Sequence, residues 1–366
     1  MDSRSNHSAM KVERTHSLLD ALPDPAFLVN ERREIVASNR AVQDKFGAMA
    51  NGRDLALAIR HPNVLEAVDK VLAGARAGEA ILELTAPLLR VFEVHVAALS
   101  ASPDDNARAL CTLRDITVTR EVERMRADFV ANVSHELRSP LTALTGFVET
   151  LKGPARDDVE TRSRFLDIMD IEARRMARLV DDLLSLSRVE AREHLPPMEE
   201  VDVTELLRGV AATIGPRASE RDIEILLDLG SCPAPIRGDR DELVEMFHNL
   251  VDNAVKYGRA ATPVTVRTRA KTRIPDLGGV GISIAIVNLG ELIGAEHLPR
   301  LTERFYRADK GRSRVVGGTG LGLAIVKHIV NRHRGLLSIE STAEIGNVFT
   351  VYLPMTDGRD EFSPMS

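Results

Sequence analysis

His135 and Glu136 sit side by side in the run Phe129-Val-Ala-Asn-Val-Ser-His-Glu-Leu-Arg-Ser-Pro-Leu-Thr142, with Ser139 and Pro140 just beyond them. The run reads as a helix. A neutral imidazole nitrogen is a good nucleophile, and a neighbouring carboxylate can hold its tautomer, so the pair suits a phosphoryl acceptor. His-Glu neighbours are common on helical surfaces, and this pair alone says little. A second segment, His248-Asn-Leu-Val-Asp-Asn-Ala-Val-Lys-Tyr257, puts Asn249 and Asn253 on one helical face, with Lys256 following on it. An amide oxygen is a hard ligand suited to Mg2+, and a lysine suits phosphate oxygens. A third, Gly317-Gly-Thr-Gly-Leu-Gly-Leu323, opens a stretch that reads as helix from Gly320 to Arg332. Glycines let backbone N–H groups approach phosphates, and a helix N-terminus favours negative charge. An ordinary amphipathic helix also carries Asn and Lys on its polar face, and a glycine run is often only a tight turn.

In this order and spacing the three segments closely resemble the H, N and G2 boxes of bacterial sensor histidine kinases, from about Glu121 to Leu353. The resemblance implies transfer of the ATP γ-phosphoryl group to His135, then to an aspartate on a cognate response regulator. Glu136 would orient or deprotonate the ring, and Pro140, lacking an N–H, would bend the helix there. Asn253 would bind Mg2+, Asn249 and Lys256 would lie near the phosphates, and Tyr257 would flank the nucleotide. Gly318, Gly320 and Gly322 would meet the phosphates at the end of a lid (Arg307-Ala-Asp-Lys-Gly-Arg-Ser-Arg314), with Phe305 as the family's F box. For Arg312 and Arg314 a solvated loop is an equal reading. Related ATPases carry a glutamate where Asn249 stands, and an amide cannot act as a general base, which favours transfer over hydrolysis. Ser139, four after the histidine, stands where the family has a Thr or Asn that supports dephosphorylation of the regulator.

One box departs from the pattern. The family's G1 box reads Asp, a residue, Gly, a residue, Gly; here it is Asn288-Leu-Gly290-Glu-Leu292. The aspartate that accepts from the adenine amino group is replaced by a neutral amide, and charge-assisted bonds are roughly twice as strong as neutral ones. Leu292 adds bulk where the family has glycine. Weakened ATP binding and reduced autokinase activity are therefore expected. A degenerate kinase acting as a regulator phosphatase or scaffold, or a sensor-type binding module with vestigial catalysis, are the competing readings.

These residues need elements to position them. Two strands (Ala26–Asn30, Glu34–Ser38), helices within Leu55–Gly74 and three further strands (Ala80–Thr85, Leu89–Ala97, Ala109–Arg114) are predicted from alternation and β-branching. That order, with Leu22-Pro-Asp-Pro-Ala-Phe-Leu-Val-Asn30 and Leu113-Arg-Asp-Ile-Thr117, resembles a PAS sensor domain. From Val118 the period turns helical. After Lys152-Gly-Pro154 a second helix carries Met169, Met176, Leu179, Leu183 and Leu186 along one stripe. Two such helices bury their stripes best in a four-helix bundle from two chains. Strands and helices alternate from Val201 to Pro354.

The expected fold is multidomain: an α+β PAS domain, an antiparallel helical hairpin forming a dimeric four-helix bundle, and an α/β-sandwich ATP-binding domain. Boundaries fall at 1–16 (flexible N-terminus), 17–117, 118–192, 193–355 and 356–366 (disordered tail). Hydrophobic content of 44% and charged content of 28% fit a globular protein, and a net charge of -6 gives no basic footprint for direct nucleic-acid binding. Cys111 and Cys232 lack metal-ligand spacing, and no run reaches the roughly 18 apolar residues of a membrane span. The expected partners are a second copy and the regulator, with ATP and Mg2+ at the site. The expected location is cytoplasmic, as a soluble protein or as the cytoplasmic part of a longer membrane protein. A PAS-like segment together with Arg304-Phe-Tyr-Arg-Ala-Asp-Lys-Gly-Arg-Ser-Arg314 resembles the phosphate-regulon sensor kinases.

Overall fold

A computed structural model describes residues 16–47, 52–85, 89–100, 106–230, 235–275, 278–308 and 318–355. The expected N-terminus (1–16, apart from His16), the tail and lid residues Arg312 and Arg314 lie outside the described residues. The chain divides into two compact units, Met1–Val130 and Ala131–Ser366.

In the first unit β1 (Ala26–Val29), β2 (Ile35–Ser38), β3 (Ala77–Leu84), β4 (Arg90–Ala98) and β5 (Ala109–Asp115) form an antiparallel sheet in the order β2-β1-β5-β4-β3. Three helices stand between β2 and β3: α1 (Arg40–Phe46), α2 (Leu55–Ala58) and α3 (Pro62–Leu72). Pro62 starts α3, where a missing N–H costs nothing. Val64, Ala67, Val68 and Val71 then form its buried stripe against β3, β4 and β5. The reading from sequence passes over α1. Its start is fixed by Asn39, a fully buried side chain whose Oδ1 accepts from the N–H groups of Val42 (3.1 Å) and Ala26 (3.0 Å). At the far end, Asp115 accepts from the Thr117 N–H and hydroxyl and pairs with Lys45 and Arg90. Burial opposes its charge, but these partners win and its pKa falls to about 2.

Two long helices follow, α4 (Thr117–Lys152) and α5 (Val159–Arg192), joined where the Gly153-Pro154 break was expected. Asp158 caps α5, accepting from Thr161 N–H at 3.0 Å. On α5 the stripe's Leu179 and Leu186 are buried and its Met169, Met176 and Leu183 half-buried, whereas Leu166, Ile171 and Leu184, which do not belong to that stripe, are exposed. α4 runs through Pro140, which is buried; with no proline N–H, the Glu136 carbonyl loses its intrahelical donor.

The remaining elements build one sheet, β11 (Leu336–Thr342), β12 (Gly346–Pro354), β10 (Val280–Asn288), β9 (Val264–Arg273) and β7 (Ile225–Asp228), in that order. All pairs are antiparallel except β7 with β9. Helices α6 (Val203–Ser219), α7 (Arg240–Tyr257) and α8 (Gly322–Arg332) form the second layer, and β6 (Glu200–Asp202) pairs with β8 (Pro235–Arg237). On α7, Leu243, Met246, Phe247, Leu250, Val251 and Ala254 are buried, each large side chain contributing about 1.5–3 kcal/mol. The opposite face is left for polar residues.

Candidate nucleotide site

That polar face forms one wall of a cavity of about 600 Å³, lined by Asn249, Asn253, Lys256 and Tyr257 of α7, by Asn288 and Leu292 at the end of β10, and by Gly318, Gly320 and Gly322 before α8. The structure thus brings together nine residues singled out from three separated segments. Phe305 and Gly290 stand just outside the lining and have packing duties. Gly320 has φ +77°, and a Cβ there would lie 2.9 Å from Phe305 Cα. Phe305 is itself left-handed (φ 62°) and donates its N–H to the Gly320 carbonyl at 2.8 Å. The two expected lid ends are therefore clamped backbone to backbone. Gly290 forms a bridge to Gly258, and a Cβ on it would come 2.4 Å from the Tyr257 carbonyl oxygen. Only glycine permits that approach.

The residues expected to face phosphates lie close together. Helix α8 starts at Gly322 with no side-chain cap, so its first N–H groups are open to an anion. A Cβ on Gly322 would lie 2.9 Å from Asn249 Oδ1, which shows how closely α7 and this turn approach. Lys256 Nζ lies 2.5 Å from Asp252, whose other oxygen is 2.5 Å from Arg217. Asn253 is a half-buried amide on the cavity wall. Mg2+ takes few protein ligands and completes its shell with phosphates and water, so a single amide oxygen beside a phosphate cradle fits it.

Several lining residues carried no sequence signal. Arg178 and Asp182 come from α5, far away in the chain. Thr319 Oγ1 donates to Asp182 Oδ2 at 2.6 Å, yet burial is the largest influence and raises the Asp182 pKa. Burial likewise raises Glu245, beside it on α7. Asp252 lies inside the recognised asparagine segment, and its spacing to Lys256 could have revealed the ion pair.

His135 lies outside the cavity, exposed on α4, and Ser139 is exposed one turn later. Among the described residues no hydrogen bond joins Glu136 to the ring: its carboxylate takes Arg175 at 3.1 Å and Arg307 at 3.5 Å. Arg304 pairs with Glu190 at 2.6 Å, and His328 and Asn331 of α8 meet Glu193. The hairpin and the ATP-binding fold are thus joined by polar contacts through both α4 and the end of α5.

Comparison with known proteins agrees with this arrangement. Residues 125–192 match the His Kinase A (phospho-acceptor) domain, and residues 238–357 match the histidine kinase-, DNA gyrase B- and HSP90-like ATPase. The phosphate regulon sensor protein PhoR of Pseudomonas aeruginosa is 35% identical over 348 residues, covering 93% of this chain and 74% of that protein. Sensor-like histidine kinase SenX3 of Mycobacterium tuberculosis is 38% identical over 263 residues, 71% of this chain and 62% of its own length. The histidine kinase ThkA, solved in complex with response regulator protein TrrA, shares the fold with a TM-score of 0.51 at 20% identity, over 93% of this chain and 98% of that one. Among the described residues no helix is long and apolar enough to cross a membrane. The chain belongs to the family of sensor histidine kinases, ATP-dependent enzymes of two-component signalling.

Proposed function

We infer that this chain binds ATP in the cavity, transfers its γ-phosphoryl group to His135 within a homodimer, and passes it to an aspartate of a response regulator. The observation that carries this reading is an exposed helical histidine in the same compact unit as a cavity lined by Asn249, Asn253, Lys256 and the glycine turn. Phosphoryl transfer asks for positioning and charge neutralisation more than for covalent help from the protein. Asn253 would hold Mg2+, which neutralises phosphate charge when bound. Lys256, Arg217 and the open end of α8 would orient the phosphates. The exposed apolar side chains Leu166, Ile171 and Leu184 support pairing of hairpins between two copies.

The sheet order β2-β1-β5-β4-β3 supports a PAS domain over 17–117. The likeness to PhoR supports a role in phosphate signalling, with the regulator of the DNA-binding kind. Ser139, exposed after His135, supports a second, phosphatase activity. One observation favours the alternative of a weakened kinase working as phosphatase or scaffold: Asn288 presents an amide where a carboxylate is usual, and Leu292 borders the cavity.

Incubation with Mg2+ and γ-labelled ATP tests the reading. The parent should take up label and His135→Gln should not, while nucleotide binding persists in both. Label surviving in His135→Gln places the acceptor elsewhere. A silent parent with a labelled Asn288→Asp, Leu292→Gly variant promotes the phosphatase or scaffold reading.

A further inference from the structure

Two asparagines are paired where β10 ends and β12 begins, and only one is held. Asn288 ends β10 and is paired in register with Asn347 of β12; both are 2% exposed and both border the cavity. Asn347 is locked: its Oδ1 accepts from the Ser341 hydroxyl at 2.6 Å and its Nδ2 donates to the Glu291 carbonyl at 3.0 Å. The Asn288 amide takes no hydrogen bond among the described residues, and its Nδ2 is buried without a partner. A buried amide N–H without an acceptor is costly, and the orientation of such an amide is not fixed by the protein.

We propose that Asn288 opens this cavity to 6-oxopurine nucleoside triphosphates alongside ATP. The proposal rests on the reading of the cavity as a nucleotide site. An ionised carboxylate at this position can only accept, so it matches the 6-amino group of adenine and repels a 6-oxo group. An amide has one donating and one accepting end. Adenine offers an amino N–H beside the N1 acceptor; hypoxanthine and guanine offer the O6 acceptor beside an N1–H. These are the same two groups exchanged, and a half-turn of the Asn288 amide matches either. Asn347 cannot make that turn without breaking both of its bonds, so the adaptable contact belongs to Asn288.

Inosine triphosphate is the probe, because it differs from ATP only at the 6-position and the N1 proton. Calorimetric titration of the full chain with Mg2+ should find ATP and inosine triphosphate within about tenfold of each other. Asn288→Asp should tighten ATP and weaken inosine triphosphate, widening the ratio to about a hundredfold or more. A change in ratio is a readout that loss of folding does not produce, and Asn288→Gln, which keeps both amide groups, gives a second variant in which strong discrimination should not appear. ATP binding with inosine triphosphate at least a hundredfold weaker in the parent overturns the proposal and leaves the nucleotide site standing. So does an unchanged ratio in Asn288→Asp. Absence of binding by either nucleotide overturns both.

Discussion

Replacing Gly320 by alanine tests the clamp at the base of the phosphate turn. Its φ of +77° lies where an L-residue pays about 1–2 kcal/mol. The new Cβ would also lie 2.9 Å from Phe305 Cα and 3.1 Å from its carbonyl carbon. Both are backbone atoms, held by the 2.8 Å bond from Phe305 N–H to the Gly320 carbonyl, so neither can step aside as a side chain would. Losing that bond adds about 0.5–1.5 kcal/mol. The combined penalty, about 1.5–3.5 kcal/mol, falls on the closed turn and not on the sheet, and it corresponds to roughly 10- to 400-fold weaker nucleotide binding. Calorimetry with Mg2+ and ATP measures it, with thermal unfolding run in parallel. Gly278→Ala is the control: φ there is +69° with nothing within 4 Å of a Cβ, and it stands outside the cavity lining, so only a modest loss of melting temperature should follow. Binding by Gly320→Ala within twofold of the parent would refute the clamp.

Three further outcomes are expected. His333 donates from Nδ1 to the Ile329 carbonyl, accepts the Asp239 N–H at Nε2, and is held below its ordinary pKa chiefly by burial. Its folded pKa being depressed, the stability it contributes is present above the ordinary value of about 6.5 and is lost as pH falls through the lowered folded value; melting should drop from pH 8 to pH 5, and His333→Leu should melt lower at pH 8 with a shallower slope. Asp182 has a raised folded pKa, so its contribution is greatest in acid and is lost as pH rises through that value; Asp182→Asn, whose amide oxygen still accepts from Thr319, should melt higher than the parent at pH 8 and converge with it in acid, and equal curves at pH 8 would count against this. Ser139→Ala should slow release of phosphate from a pre-charged receiver domain without lowering uptake of label by His135, and unchanged release removes Ser139 from that role.

Element types were readable where one physical pattern dominated. The α7 range, Arg240 to Tyr257, follows directly from an Asp239 cap, a buried stripe and Gly258 at the end. Helix α8 begins at Gly322, two residues later than the sequence reading, because Gly320 is turned left-handed to meet Phe305 and cannot join the helix. α1 was invisible because its signal is a single asparagine whose partners, Ala26 and Leu19, are brought there by the sheet. Strand β11 went unread since Leu-Leu-Ser-Ile-Glu-Ser-Thr has no clean alternation, its first four residues all being half-buried. The site divides in the same way. Residues tied to a local motif were legible, as Asn249, Asn253 and Gly322 were. Arg178, Asp182 and Glu190 read as ordinary charges on an exposed helix, since only tertiary packing sets Thr319 and Arg304 against them.

Those last contacts bear on the order of events at the site. Arg307 and Thr319 stand at opposite ends of residues 308–318, and both reach the hairpin: Arg307 to Glu136 at 3.5 Å and Thr319 to Asp182 at 2.6 Å. A triphosphate in the cavity would offer Arg307 a stronger anion than Glu136 and would place like charge against Asp182. Two contacts between the hairpin and the ATP-binding fold would thus be opposed by the same ligand. Arg304 with Glu190, and Glu193 with His328 and Asn331, lie outside the cavity lining and meet no such competition. Nucleotide and hairpin would then compete at one end of the interface, with the other end unopposed. Binding linkage is reciprocal, so whatever loosens the Asp182 end must also favour the nucleotide. Asp182→Asn tests that balance: it retains an acceptor for Thr319 and removes the repulsion of the ligand, and the melting comparison at pH 8 measures separately what relief of the buried charge does without nucleotide.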